Sequence, residues 1–90
     1  MNMEIHTLIA ALNRCRERLF SNPKFQPLLS IEAHLQYLIG ILEGQISDRS
    51  RLEKIYIGIH AVEFEERDIT FANLLYEVEE IVDSMKAGKL

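Results

Sequence analysis

Apolar residues return every three or four positions along this chain, and that rhythm limits the fold more than any other feature. Ile5, Leu8, Ile9, Leu12, Cys15 and Leu19 form the first such stripe, which stops before Asn22-Pro23. Pro23 and Pro27 bias the residues before them away from helix, so positions 21 to 27 read as a short connection. Ser30 is the expected N-cap of a second helix carrying Ile31, Leu35, Leu38, Ile39 and Leu42, with Gly44 at its end. Ser47 or Asp48 caps a third, whose expected buried stripe is Leu52, Ile55, Ile59 and Val62. Asp68 or Thr70 opens a fourth, with Phe71, Leu74, Leu75, Val78, Ile81, Val82 and Met85 on one side, before Ala87-Gly88 releases the chain. No segment sustains the alternation of a half-buried strand. Residues 55 to 59, IYIGI, have strand-like composition but are read as helix, because the acids after them continue the 3.6-residue period. The expectation is an all-α, small antiparallel bundle of about four helices, with residues 1-90 as one domain and no internal repeat or linker.

Size and charge then exclude whole classes of function. A chain of 90 residues buries roughly 60–65% of its unfolded surface, which leaves little room for a deep enzyme pocket. Residues 1 to 50 balance their charges, so the net charge of −4 comes from residues 51 to 90, which hold nine acids against five bases. That half repels a phosphate backbone and suits a basic protein surface, so nucleic acid is not an expected partner. Cys15 has no second cysteine to pair with. The early run LIAAL is too short for a signal-peptide core, and no stretch approaches a membrane span, so the expected location is the cytosol, away from membranes.

Chemistry-bearing groupings are sparse. His60 and Glu63 share a helix face at i and i+3, a spacing used in carboxylate metal sites, but His6 and His34 lack a matching carboxylate, so no metal is expected. Arg14, Arg16 and Arg18 surround Cys15 in sequence and such cations activate thiols, yet its place on the apolar stripe marks it as buried and inert. There is no nucleophile motif and no glycine-rich phosphate loop, hence no expected catalytic residue or cofactor.

The stretch GIHAVEFEERD, residues 58 to 68, is the distinctive one. Phe20 and Phe71 border the core stripes and read as packing residues, whereas Tyr56 and Phe64 lie at the edge of the third helix's buried face and read as half exposed. Aromatics beside acids are typical interface anchors. Glu63, Glu65 and Glu66 either solvate a helix end or form a partner surface, and acids at a helix C-terminus oppose its dipole, which favours the second reading. Tyr56, Glu63, Phe64, Glu65, Glu66 and Asp68 are therefore the expected binding residues. The competing reading is a helical module that self-associates as a homodimer or scaffold to cover an apolar patch.

Leu28-Leu29-Ser30, Glu32, Leu35-Gln36-Tyr37, Asp48-Arg49-Ser50 with Leu52, Gly58, Ala61-Val62, Glu63-Phe64-Glu65 and Asp68 together carry a resemblance. Over roughly residues 5 to 75 the chain resembles the small immunity proteins that protect bacteria from type VI secretion effectors with NAD(P)+ glycohydrolase toxin domains. Val62 meets Glu63 directly, one residue closer than in that family's pattern. The resemblance implies a non-enzymatic helical protein of the bacterial cytosol that binds its cognate toxin and occludes the active site. It also implies a partner with a basic NAD(P)+-binding cavity, for which carboxylates can compete with dinucleotide phosphates.

Overall fold

The computed structural model describes residues 3–90. Four α-helices follow one another: α1 (Met3–Ser21), α2 (Gln26–Leu42), α3 (Ile57–Phe64) and α4 (Ile69–Lys86), with a 3-10 helix at Ser50–Lys54 between α2 and α3. Among the described residues there is no strand, as the apolar spacing requires. Helix α1 packs against both α2 and α4, and α3 lies on α4 with a lighter contact to α2.

α1 ends where expected, before Asn22-Pro23. Helix α2 starts earlier than Ser30, at Gln26, with Phe25 as N-cap and no side-chain capping bond. The reason lies in Pro27: a first-turn residue needs no N–H partner inside the helix, so proline extends the start there and does not block it. Gly44 ends the helix in the left-handed region (φ 80°), where the missing Cβ removes the steric penalty.

The third segment departs most from expectation. The Asp48 side chain accepts the Ser50 amide (2.9 Å) and opens a 3-10 helix in place of an α-helix. Ile55 and Tyr56 then run extended, and the α-helix restarts only at Ile57. The break changes the helical phase. Leu52 and Ile55 are buried as anticipated, but from Ile57 onward the buried stripe is Ile57, Ala61 and Phe64. Ile59 and Val62, expected in the core, are 67% and 59% exposed.

The core draws on all four helices and the 3-10 helix, with Leu8, Leu28, Ile31, Leu35, Ile57, Phe71, Leu75 and Val82 fully enclosed. Phe71 meets Phe64 edge to face, with ring centroids 5.0 Å apart, a geometry that adds roughly 1 kcal/mol to the burial itself. Phe20, read as a packing residue, is 90% exposed, because it stands one position past Leu19 and so about 100° off the α1 stripe. Cys15 is fully buried and its thiol donates to the Leu28 carbonyl (3.3 Å). Burial, with a smaller contribution from Glu32, pushes that thiol up to about 12, so it is the inert cysteine the sequence implied.

Candidate functional site

Helix α3 and the turn after it carry all six expected binding residues except Tyr56, which caps the helix at its N-terminal side. With about 100° per residue, the side facing away from Ile57, Ala61 and Phe64 centres on Ile59, flanked by Val62 and Glu63. An eight-residue helix has no folding reason to place two β-branched aliphatics there. Tyr56 extends the apolar line at i−3 from Ile59 and is itself exposed. Its ring is held by Lys86, whose Nζ lies 4.5 Å from the centroid while donating to the Ile55 carbonyl (3.1 Å).

The acids occupy different settings. Glu63 is exposed and pairs with His60 Nδ1 at 3.2 Å. Glu65 accepts a 2.6 Å bond from the Tyr76 hydroxyl, which fastens the turn to α4. Glu66 is exposed and makes no bond to another described residue. Only Glu63 stands in the last turn of α3; Glu65 and Glu66 lie in the turn that leads into α4. Their opposition to a helix dipole is thereby reduced, because the N-terminus of α4 attracts negative charge.

Phe64 and Asp68 face inward. Phe64 is 5% exposed rather than half exposed, because the phase shift puts it on the buried stripe beside Phe71. Asp68 is buried and N-caps α4 by accepting the Phe71 amide at 3.1 Å. Arg14 grips the carboxylate with both Nε (2.9 Å) and Nη2 (3.1 Å), and Arg18 adds a 2.8 Å bond from Nε. Burial pushes the Asp68 carboxyl up, but bonds from Arg14, the Phe71 amide and Arg18 outweigh it and hold the group at about 2. This network fixes α1 against the α3–α4 turn. A second clip holds the other end of α3, where Glu79 of α4 accepts the Gly58 amide at 2.9 Å and replaces the missing local cap.

Among the described residues no group of three His, Cys, Asp or Glu side chains could hold a metal ion, and no helix is long and apolar enough to cross a membrane. The surface elements that sequence reasoning missed are Ile59 and Val62. Their signal was the alternative stripe Ile57, Ala61 and Phe64, which is as regular as the expected one.

A helical scaffold that clips a short helix in place, apolar side outward and edged with acids, has the composition of protein-binding modules. The Tsi6 family model matches residues 4–84, and the chain belongs to that family, the immunity family its sequence resembles. A chain of a solved structure of Tse6 in complex with Tsi6 superposes with a TM-score of 0.89 at 31% identity, covering 97% of this chain and 94% of that chain. No curated protein matches the chain.

Proposed function

We propose that this protein is an immunity protein that binds a cognate effector toxin domain through the outer side of α3 and inhibits it by covering its active site. The observation that carries this reading is the match to the Tse6–Tsi6 complex over nearly the whole chain, joined to the exposed Ile59 and Val62. Tyr56, Ile59 and Val62 supply the apolar contact, and Glu63 and Glu66 face basic groups of the toxin. Glu65, Phe64 and Asp68 support that surface from the side and from beneath, by the bonds and packing that set the direction of α3. The toxin is an NAD(P)+ glycohydrolase with a basic cavity, the protein is not itself an enzyme, and it acts in the cytosol of the producing cell, all as the family resemblance implies.

Titration of the protein into the toxin domain encoded beside it, with NAD+ consumption as the readout, tests the proposal. Activity should vanish at one-to-one stoichiometry. Full activity in the presence of a saturating, folded excess would overturn it. Ile59 and Val62 also favour a second reading, in which two copies cover the same side of α3 as a homodimer. Light scattering across concentration separates the two, since a free inhibitor stays monomeric until the toxin is added.

A further inference from the structure

The end of the bundle beyond the C-terminus of α3 holds a pocket of about 110 Å³ with a chemistry unlike the rest of this acidic chain. Phe25, Leu28 and Phe64 form its apolar part, while Arg18, Asn22 and Arg67 supply the polar atoms, and no acid lines it. The Arg67 guanidinium is not spent on the fold, and that of Arg18 is spent only in part. Arg18 uses only Nε on Asp68, which leaves its terminal nitrogens free to donate. Arg67 is exposed, and beyond its backbone N–H, which donates to the Phe64 carbonyl, its side chain bonds to no described residue. The contrast with Arg14, which engages Asp68 and Glu17 through all three nitrogens, shows what a fully committed arginine looks like here.

Two guanidiniums with open forks over an apolar floor match one ligand chemistry well: a carboxylate on a short methylene stem. The volume is many times that of one water and suits the head of a glutamate or aspartate side chain. Apolar side chains surround the same end of the molecule. Phe20 at the end of α1 and Ile69 at the start of α4 are exposed, and Phe25 is 39% exposed at the start of α2. The pocket is also continuous in the chain with the proposed binding surface, because Phe64 closes α3 and Arg67 follows Glu66 in the next turn.

We propose that this pocket is a second anchor of the toxin-binding surface and takes an acidic side chain of the toxin between Arg18 and Arg67. The inference rests on the toxin-binding reading above and gives it an orientation. Acids on α3 facing bases on the toxin, next to bases in the pocket facing an acid on the toxin, make an alternating pattern that only one docking register satisfies. A toxin lacking the acid at that position leaves the Arg67 guanidinium and the terminal nitrogens of Arg18 covered and unpaired, so the pocket also discriminates against non-cognate toxins.

Arg67 is the residue to change, since Arg18 also holds Asp68 and its loss would disturb the fold. Affinity for the neighbouring toxin domain is measured by calorimetry for the wild type, Arg67→Ala, Arg67→Lys and Arg67→Glu, each checked for an unchanged thermal midpoint. Arg67→Ala should weaken binding about tenfold, Arg67→Glu more, and Arg67→Lys less than Ala, because lysine keeps the charge and loses the fork. A toxin Asp or Glu changed to Arg should restore part of the Arg67→Glu loss. Wild-type binding with all three variants unaltered would overturn the pocket assignment and leave the α3 surface standing. Absence of wild-type binding would overturn the immunity reading and the pocket with it.

Discussion

Replacing Asp68 should cost more stability than replacing any other acid, and the amount can be worked from its surroundings. Its carboxyl titrates at about 2 against an ordinary 3.8. At about 1.4 kcal/mol per pKa unit the difference is worth roughly 2–3 kcal/mol before screening. Arg14 and Arg18 are 36% and 38% exposed, so water weakens the pairing, and about 1–2 kcal/mol remains. Asp68→Asn keeps an N-cap of nearly equal quality and should lose that amount, whereas Asp68→Ala also loses the cap and should cost about 2–3 kcal/mol. Urea denaturation followed by circular dichroism measures both. The pH dependence carries the sharper test. Because the folded pKa lies below the unfolded one, the unfolded chain takes up the proton first. The wild-type advantage over Asp68→Asn is therefore complete above about pH 5, shrinks as pH falls through the range between the two pKa values, and is gone only near pH 1. A gap of under about 0.5 kcal/mol at pH 7, or one that does not change between pH 5 and 2, would refute the account of this network.

The other expectations concern the surface, the thiol and the α3 clip. Ile59→Lys with Val62→Lys should leave stability within about 0.5 kcal/mol and weaken toxin binding at least thirtyfold; calorimetry and a thermal melt read the two effects separately. Charge reversal of Glu63 and Glu66 together should reduce toxin affinity and flatten its dependence on salt, as surface plasmon resonance at several ionic strengths would show. Cys15 should resist a maleimide reagent for hours at pH 8 in the native protein and react within minutes in urea, since its thiol is buried and titrates at about 12. Gly58→Ala places its new Cβ 3.5 Å from Glu79 Cγ, an ordinary contact, and should stabilise the protein by about 0.5–1 kcal/mol in urea melts.

The all-α class and the limits of α1 and α4 were legible because each rests on one unambiguous signal. Leu8, Leu12 and Cys15 keep a single phase up to a proline, and Asp68 is followed three residues later by the amide it caps. Legibility failed where two signals competed. Pro27 stops a helix in mid-run but starts one in its first turn, and a sequence alone does not say which turn it occupies. Residues 52 to 64 contain two stripes of equal regularity, Leu52, Ile55, Ile59 and Val62 against Ile57, Ala61 and Phe64. The acids decide between them. On a helix Glu63 and Glu66 fall beside Ile59 and Val62, so burying that stripe would drag carboxylates toward the core, whereas the other stripe meets only Asp68, which has two arginines ready. The pairing of Asp68 with Arg14 and Arg18 of α1 completes that choice, and this half of the signal lies outside the local sequence. The Arg18–Arg67 pocket was equally invisible, because it joins residues 49 positions apart in the sequence.

The same phase choice links the fold to the proposed binding surface. Had residues 49 to 66 formed one continuous helix, Ile59 and Val62 would have completed the core and the chain would present only acids to a partner. The extended Ile55–Tyr56 link turns them outward and gives the core Ile57 and Phe64 in their place. Exposed Ile and Val side chains gain nothing in the isolated protein, yet each is worth roughly 1.5–3 kcal/mol if a partner buries it fully. The clips that keep α3 in this orientation, Glu79 on the Gly58 amide and Tyr76 on Glu65, come from α4 and not from α3 itself. An eight-residue helix is too short to hold its own conformation in water. For the toxin docking on α3 proposed above, order imposed from α4 beforehand lowers the conformational entropy lost on binding, so the stability of the scaffold would be converted into affinity at α3.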